Sequence, residues 1–380
     1  MPEALGIASQ SPRMQAIGAN LILLGFLGAV AWLEASHPAL YYRSVQEDQA
    51  LEWASFWSFL IAGGVFALAA RNQHRATNAR PWFLAGLALF CFFVAMEEVS
   101  WGQRVFGQLP PEYFLAQNYQ QELNVHNLAS TKLRLFAFRA VIFGYGVLLP
   151  VVAFFPSIRR LLDRIAVVPP PVELVPSMLA MLLVHIWYPW KFTGEVIECA
   201  LGFAFLFAAG ANAARLSGGR MGDSLLLPVS LASLIAALAF STTSWSESRA
   251  SLDPANLELA NVEVTALERD LVEAAAARSI STITKCGLHK RLYTFVHGNE
   301  RARRLREGSF AELTASTLPD ARAEYFLDPW SLPYWIRDRC DRNEGRRVVF
   351  VYSFGPNRSR DSSRWEILGD DIGRYVLVEP

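Results

Sequence analysis

Long apolar segments constrain this chain more than any other feature. A membrane-spanning helix needs about 20 apolar residues, because the hydrocarbon core of a bilayer is about 30 Å thick. Seven segments of the 380-residue chain approach or reach this length: 17–35, 54–70, 81–99, 134–155, 172–190, 195–213 and 224–243. The composition, 52% hydrophobic and 18% charged, is typical of a polytopic membrane protein. We therefore predict a mainly α membrane protein with about seven transmembrane helices.

The charges in the loops between these segments orient the chain. Lysine and arginine residues near the ends of spans stay on the cytoplasmic side. Arginines occupy alternate loops, namely Arg71, Arg75, Arg80, Arg159, Arg160, Arg164, Arg215 and Arg220. The intervening loop at 35–53 instead carries three acidic residues against one arginine. This pattern predicts a multi-pass protein of the bacterial inner (cytoplasmic) membrane, with its N-terminus inside and everything after Trp245 in the periplasm or outside.

The composition changes after the last apolar segment. We predict a polytopic membrane domain at 1–245 and an extracytoplasmic domain at 246–380. The 35 basic and 35 acidic residues balance, which gives the chain no general affinity for nucleic acid. The sequence also contains no glycine-rich phosphate loop or dinucleotide-binding fingerprint. The expected partner of the first domain is the lipid bilayer, and we expect neither nucleic acid nor nucleotide.

Acidic and histidine residues gather at the outer ends of the predicted spans. They are Glu34, His37, Glu97, Glu98, His126, His185, Glu195 and Glu198. Ionisable groups at membrane depth are costly unless they face water, a cavity or a partner, so they mark a candidate functional site. Glu195 and Glu198 lie one helical turn apart, on one helix face. As residues near the chemistry we select Glu97, Glu98, His126 and Glu198.

Three interpretations of this cluster fit its residue types. A transition metal that activates a water molecule would take its ligands from five residues: His37, His126, His185, Glu98 and Glu198. A metal-free site would use one carboxyl group as acid and another as base. A structural network would pair Glu98 with Arg104 and Glu195 with Lys191. The sequence leaves all three open.

The polar runs of this region carry a family resemblance. They are Glu47-Asp48, Glu52-Trp53, Glu97-Glu-Val-Ser-Trp-Gly-Gln-Arg104 and Glu122-Leu-Asn-Val-His-Asn127. Together they resemble a family of uncharacterised bacterial polytopic membrane proteins, which implies no activity. A seven-span bundle with outward acidic and histidine residues is also similar to membrane hydrolases of the alkaline ceramidase type. This sequence lacks the paired histidines that those enzymes have in the last span, so the likeness is an analogy.

The last domain combines a long helix with short strands. Asp253-Pro254 is a helix-start signal, and an approximate helical stripe follows it: Leu257, Val264, Leu267, Leu271 and Ile280. We therefore predict a helix at 253–285. Short β-type runs at 347–352 and 375–378 are separated by turn-forming residues. This order predicts an α+β domain.

Three turns of this domain carry a second resemblance. They are Asp328-Pro-Trp-Ser-Leu-Pro-Tyr334, Val351-Tyr-Ser-Phe-Gly-Pro-Asn357 and Gly369-Asp-Asp-Ile-Gly373. Over roughly the last fifty residues they resemble the C-terminal half of the major pseudopilin of type II secretion. The resemblance implies a long helix packed on a short antiparallel sheet. It also implies a calcium ion in the loop between the last strands.

The calcium ligands implied by this resemblance are Asp361, Asp370 and Asp371. The sequence departs from the family pattern at Asn357, where an aspartate is usual. The loop also carries three arginines, Arg358, Arg360 and Arg364, which add positive charge beside any cation.

Cysteine placement follows the predicted topology. Cys91 and Cys199 fall inside apolar spans, where cysteine serves as a small core residue. Cys286 and Cys340 fall in the domain outside the cytoplasm, where an oxidising compartment allows disulfides. We predict a Cys286–Cys340 disulfide.

Two functions fit the sequence. The first, which the sequence favours slightly, is a non-enzymatic role in which the membrane domain displays the pseudopilin-like domain to a secretion, pilus or cell-envelope partner. The second is a membrane-embedded hydrolase or transferase, with or without a metal, that acts on a lipid or lipid-linked substrate at the outer face of the membrane.

Overall fold

The computed structural model describes ten stretches of the chain: 13–78, 80–106, 108, 110–118, 120–216, 226–251, 254–278, 287–293, 326–341 and 343–379. The chain divides into two compact units. We call Met1–Val99 with Ala129–Thr243 the membrane unit, and Ser100–Leu128 with Ser244–Pro380 the C-terminal unit.

The described residues are mainly helical. In chain order the helices are α1 (Arg13–Ser36), α2 (Pro38–Ser44), α3 (Ala50–Thr77), α4 (Trp82–Glu98), α5 (Gln103–Phe106), α6 (Glu112–Gln117), α7 (Thr131–Val141), α8 (Leu149–Val152), α9 (Pro156–Arg164), α10 (Val175–Trp187), α11 (Thr193–Leu216), α12 (Leu226–Ser251) and α13 (Pro254–Arg278). A π-helical segment, Ile142–Leu148, joins α7 to α8. At Gly146 in this segment, an added Cβ would collide with the Met178 side chain, so glycine allows the close approach to α10.

Among the described residues, five helical segments are long and apolar enough to cross a membrane. They are Met14–Ser36, Ala50–Thr77, Thr131–Val152, Thr193–Leu216 and Leu226–Ser248. These segments confirm five of the seven predicted spans, and the protein is a multi-pass membrane protein by helix length and composition.

The other two predicted spans form shorter helices. Helix α4 has 17 residues and is followed by left-handed backbone at Ser100 and Trp101. The apolar helix Val172–Trp187 ends at Tyr188, which is also left-handed. Helix α4 thus covers nearly all of the predicted span 81–99, whereas the second helix stops short of the predicted end at residue 190. Whether these two helices cross the bilayer stays a prediction.

Helix α11 forms the centre of the membrane unit, since 94% of its apolar stretch is buried inside the protein. Glycines allow the close packing around it. A Cβ added to Gly202 of α11 would lie 3.0 Å from the Ser58 side chain of α3. A Cβ added to Gly63 of α3 would lie 3.1 Å from the Ala88 carbonyl oxygen of α4. The three backbones therefore pack closely as one layer.

The C-terminal unit ends in a four-stranded antiparallel sheet. Its strands, β1 (His289–Arg291), β2 (Trp335–Cys340), β3 (Arg347–Ser353) and β4 (Ile372–Glu379), lie side by side in chain order. Strands β3 and β4 confirm the predicted runs at 347–352 and 375–378, whereas β1 and β2 were not predicted.

Helix α13 packs on this sheet through one apolar stripe. Val264, Leu267 and Leu271 are buried in a common core with sheet residues that include Ile336 and Val351. Within the described part of the predicted stripe, Leu257 differs from expectation, since it is 39% exposed and Ala260 is buried in its place. The fold is therefore the expected long helix on a short antiparallel sheet.

The segment Ser100–Leu128 belongs to the C-terminal unit, although the sequence places it in an outer loop of the membrane domain. Its residue Leu115 packs against the same core that joins α13 to the sheet. Apolar contact between segments so far apart in sequence means that this loop and the tail fold as one body.

The cysteines divide as the sequence suggests. Cys91 and Cys199 are free and buried in the membrane unit. Cys340, at the end of β2, is disulfide-bonded. Cys286 lies outside the described residues, so the Cys286–Cys340 pairing stays a prediction.

Asp328 fixes the turn that precedes β2. One carboxylate oxygen accepts the backbone N–H groups of Trp330 (3.0 Å) and Leu332 (2.8 Å), and the other accepts the Ser353 hydroxyl (2.5 Å). Burial raises the pKa of Asp328 to about 6 and outweighs these hydrogen bonds, which lower it. The folded chain therefore holds this proton more tightly than the unfolded chain does.

We expect Asp328 to make the C-terminal unit less stable as the pH rises. A raised folded-state pKa gives stability that is fully present below about pH 4 and is lost as the pH rises through about 6. Asp328→Asn has no carboxyl group at this position, so it should keep its stability as the pH rises. Between pH 4 and pH 7, the free energy of unfolding of the wild type should therefore fall by about 3 kcal/mol relative to that of the variant. Hydrogen exchange of β3 amides in the full-length protein, measured across this pH range, gives the comparison. Parallel pH profiles for the wild type and Asp328→Asn, with Asp341→Asn as control, would contradict it.

Candidate functional site

Carboxylates from three helices meet at one end of the membrane unit. Glu52 lies in the first turn of α3, and Glu98 is the last residue of α4. Glu195 and Glu198 lie in the first two turns of α11. Because α3 and α11 begin at the level where α4 ends, the four half-buried side chains reach the same place.

Glu98 faces other carboxylates. The charged groups that act on it are, in decreasing order, Glu198, Glu195 and Glu52. Ser55, one helical turn after Glu52, places its hydroxyl beside the Glu98 carboxyl group. Among the side chains that the structure describes, Glu98 forms no ion pair. A carboxylate in this setting is costly to ionise unless its neighbours share protons.

Glu198 has a different environment from Glu98. The cation that acts on it is Arg134 of α7, and a side-chain hydrogen bond joins Glu198 to Glu195. Glu198 therefore has both a cation, Arg134, and a second carboxyl group, Glu195, as neighbours.

The structure brings together part of the predicted site. Glu98, Glu195 and Glu198 meet as expected, and Glu97 next to them in the chain is buried. His37 is exposed, with its ring 5.2 Å from that of Trp32. His185 is buried and stacks on Phe138, with ring centres 5.7 Å apart.

Other predicted members lie elsewhere or outside the description. His126 belongs to the C-terminal unit, in a short 3-10 helix, and is half-buried. The ammonium group of Lys191 lies 5.2 Å from the ring centres of Tyr42 and Phe192. The Arg104 side chain is outside the described residues, so its pairing with Glu98 stays a prediction.

Two members of the cluster were not selected from the sequence. In the sequence, Glu52 is one of three acidic residues in the 35–53 loop, and it lies just before a predicted span, at the same predicted level as Glu98. The sequence does not show which helix faces Glu198, so it does not identify Arg134 as a member of the cluster. The position of Glu52 beside a predicted span could have indicated its place in the cluster. Only the packed structure shows that Arg134 faces Glu198.

A metal centre requires several ligand atoms close together. In the described part of the chain, Asp361, Asp370 and Asp371 are the one group of acidic, histidine or cysteine residues whose ligand atoms lie within 4.8 Å of one another. The predicted membrane ligands do not form such a group there: His37, His126, His185, Glu98 and Glu198. The geometry of the membrane unit therefore favours the metal-free interpretation.

The three aspartates lie in the loop between β3 and β4. Asp371 accepts the backbone N–H groups of Ser362 (2.8 Å) and Asp361 (3.3 Å). Asn357 joins the other two, since its backbone N–H donates to Asp370 and its side-chain amide donates to Asp361, both at 2.9 Å. Asn357 therefore uses its NH₂ group toward the aspartates, where an aspartate would offer another oxygen ligand.

Two glycines close this loop. Gly355 and Gly369 have positive φ angles of 68° and 65°. A Cβ added to Gly355 would collide with the Asp370 carbonyl group, and one added to Gly369 would collide with the Asp361 carboxyl group. Glycine is therefore needed at both positions to bring the aspartates together.

The aspartate loop has the chemistry of a calcium site. Burial raises the pKa of Asp371 to about 6. Burial and the neighbouring Asp361 carboxyl group raise the pKa of Asp370 to about 6. Oxygen donors at this spacing suit calcium, which prefers carboxylate and carbonyl ligands. The residues present therefore fit calcium, with fewer carboxylates than the family pattern provides.

The runs 100–103 and 122–127 take part in a buried polar network in the C-terminal unit. The Ser100 hydroxyl and the Asn124 amide donate to the Glu122 carboxylate, at 3.1 and 2.6 Å. The Asn118 amide donates to the Asn124 side-chain oxygen (2.8 Å), and Gln103 accepts the Leu123 N–H (2.7 Å). These polar side chains are buried. Their contacts shape the loop, which indicates a structural role for this part of the motif.

Comparison of the chain with protein-family models, with curated proteins and with solved structures returned no match. The resemblances to an uncharacterised membrane family and to the major pseudopilin therefore stay expectations from the sequence. Function has to be argued from the two sites themselves.

We expect calcium to bind the aspartate loop. Titration of the full-length protein with calcium should release heat, and Asp371→Asn should weaken binding by about tenfold or more, because the charge of the ligands sets calcium affinity. Gly369→Ala should have a similar effect by displacing Asp361. Asp341→Asn, in a turn outside this loop, is the matched control. Absence of calcium heat in the wild type, or equal heat in Asp371→Asn, would remove calcium from this loop.

Proposed function

We propose that this protein is a multi-pass membrane enzyme that performs acid–base chemistry on a lipid or lipid-linked substrate, as a hydrolase or transferase at the outer face of the membrane. The observation that carries the proposal is the meeting of Glu98 with Glu195 and Glu198 at one end of the membrane unit. Hydrolysis and group transfer both need one group that donates a proton and one that removes a proton.

The environments of the carboxyl groups differ in the way that acid–base catalysis requires. Glu98 faces three carboxylates, so it is suited to hold a proton and act as the acid. Glu198 has the cation Arg134 among its neighbours, and in this proposal it acts as the base. Glu97 and His126 remain predicted participants, and the proposal does not depend on them.

A purely structural network accounts for this arrangement less well. Buried charges that lock helices together are stable when each carboxylate meets a cation. Within the described residues, Glu98 has carboxylate neighbours and no ion pair. An arrangement that costs folding energy at membrane depth is more readily explained by a function that uses it.

The test is the loss of turnover without loss of stability. Glutamine has the shape of glutamate but cannot exchange a proton, so Glu98→Gln and Glu198→Gln should lower turnover by about 10²–10⁴-fold. Glu173→Gln, also half-buried but outside this cluster, is the matched control. The purified protein is incubated with vesicles of total bacterial lipid extract, and lipid mass spectrometry follows product formation.

Two results would contradict this proposal. One is a wild-type protein that leaves every lipid class unchanged. The other is a Glu98→Gln protein that unfolds more easily by about 3–5 kcal/mol, as expected when one partner of a buried ion pair is removed.

A second function is favoured by the C-terminal unit. Its helix-on-sheet fold agrees with the expected shape of a pseudopilin-like domain, although no comparison supports that family. In this role the membrane unit displays the domain outside the cytoplasm to a secretion, pilus or cell-envelope partner. The two functions are compatible, since they use different units of the chain.

Packing within the C-terminal unit supports this topology. Leu115, from the loop after α4, lies in the core of the tail that follows α12. The ends of α4 and α12 must then lie on the same side of the membrane, which requires an even number of crossings between them. Three long apolar helices lie between these ends, and in the proposed topology Val172–Trp187 supplies the fourth crossing.

Site-directed labelling tests this topology. A membrane-impermeant maleimide applied to spheroplasts should label Asn343→Cys, an exposed position in the turn between β2 and β3, and should leave Ser157→Cys in α9 unlabelled. The wild-type chain gives the background, because Cys91 and Cys199 are buried. Equal labelling of the two positions before lysis, or labelling of Ser157→Cys alone, would contradict the proposed topology.

A further inference from the structure

A cavity of about 190 Å³ lies at the opposite end of the membrane unit from the carboxylate cluster. Its polar lining comes from the last turns of α3 (Gln73, Thr77), from α9 (Arg159, Asp163) and from the end of α11 (Arg215). Nothing in the proposed chemistry of Glu98 and Glu198 uses this cavity. The two sites are separated by the length of α11.

Arg215 is held in place with part of its guanidinium group available. Its Nη2 atom donates to the Pro169 carbonyl oxygen (3.2 Å) and to the Asn212 side-chain oxygen (2.6 Å). Its Nε and Nη1 atoms make no hydrogen bond within the described part of the chain. A guanidinium group positioned in this way offers a planar pair of donors, the geometry that binds phosphate oxygens.

A second arginine reinforces the positive charge of the cavity. Among the charged groups that act on Arg215, Arg159 has a larger effect than the acidic groups Asp163 and Glu173. Arg159 also pairs with Asp163 (3.5 Å), one turn along α9, where both side chains are about half exposed. An exposed pair of this kind contributes little to stability. An anion between Arg159 and Arg215 would therefore relieve their repulsion at small cost.

Gln73 adds a buried acceptor atom, Oε1, that has no hydrogen-bond partner within the described residues. It is 7% exposed, and its Oε1 atom makes no hydrogen bond among the residues that the structure describes. Its Nε2 atom makes one long bond of 3.4 Å, to the Ala166 carbonyl oxygen. A buried acceptor left unpaired costs free energy, which a hydroxyl or amine donor of a ligand would recover.

The surroundings of the cavity are those of a membrane interface. Helix α9 carries arginines on one side, while Leu161 on the same helix is 53% exposed. The exposed indole of Trp82 donates to the Ile165 carbonyl oxygen (2.6 Å) at the end of α9. Tryptophan and amphipathic helices of this type lie at the level of lipid headgroups.

We propose that this cavity binds the phosphate group of an anionic phospholipid, with Arg215 and Arg159 as its cationic contacts and Gln73 as acceptor for a headgroup hydroxyl or amine. The volume is below the roughly 300 Å³ of the smallest common ligand pockets, so it suits a headgroup and not a whole lipid. The acyl chains would lie outside, along exposed apolar side chains such as Leu161 and Phe155. Basic pockets between transmembrane helices bind anionic headgroups in this way.

The experiment measures ligand-induced stabilisation of the full-length protein in detergent. Thermal unfolding is recorded with added phosphatidylglycerol, phosphatidylcholine or inorganic phosphate. The variants are Arg215→Gln, Arg159→Gln and Gln73→Leu, and the matched control is Arg164→Gln, an exposed arginine of α9 that does not line the cavity. If Arg215→Gln does not fold, the result for Arg159→Gln decides the test. The Arg159 side chain is half exposed, so its replacement should not prevent folding.

Phosphatidylglycerol should stabilise the wild type and Arg164→Gln, and phosphatidylcholine should not. Loss of one charge-assisted contact should weaken this effect in Arg215→Gln and Arg159→Gln, with about ten- to hundredfold more lipid needed for half of the shift. Equal stabilisation of the wild type and all four variants would overturn the proposal. If only inorganic phosphate stabilises the wild type, and the same variants lose this effect, the ligand is free phosphate and the lipid proposal is wrong.

Discussion

The burial of helix α11 is the constraint on which the membrane unit depends. The ring of Phe205, at the centre of this helix, lies 5.8 Å from that of Phe59, 5.4 Å from that of Phe90 and 4.8 Å from that of Tyr145. These partners come from α3, α4 and the π-helical segment, so one side chain joins three neighbouring elements. A helix surrounded by protein in this way has few alternative positions, because close-packed interiors tolerate little displacement.

The two polar sites of the membrane unit follow from this burial. Helix α11 begins with Glu195 and Glu198 and ends with Arg215. Since the helix is enclosed, these charges face other protein groups instead of lipid. A rigid helix also fixes the positions of the groups at both of its ends, as catalysis and headgroup recognition require. The same packing therefore positions an acidic site at one end and a basic cavity at the other.

Much of the fold was predictable, because long apolar runs and alternating apolar residues have few structural solutions. The five long spans, β3 and β4 follow from these patterns. Strand β2 does not, since its sequence Trp335-Ile-Arg-Asp-Arg-Cys340 is as charged as a surface loop. Its Asp338 is buried, 3.7 Å from Arg347 of the neighbouring strand. That contact exists only after the sheet has formed, so local sequence cannot reveal it.

The sequence predicts the depth of the candidate site in the membrane, but it does not predict which way each helix is rotated. Span ends give the depth of Glu98, Glu195 and Glu198 in the membrane, and these residues do meet. A helix that is apolar on every side gives no information about its rotation, so the inward position of Arg134 and the stacking of His185 on Phe138 were not accessible. Rotation is set by neighbouring helices, which only the packed structure shows.

The motif that begins with Glu97 and Glu98 divides into two parts with different roles. The three residues Ser100, Trp101 and Gly102 all have positive φ angles, of 47°, 52° and 80°. For non-glycine residues this conformation costs about 1–2 kcal/mol each, so two of the three require compensation. The hydrogen bonds of Ser100 and Gln103 within the buried network provide it. Glu98 of the motif therefore belongs to the carboxylate cluster, while Ser100, Trp101 and Gly102 form the turn that follows α4.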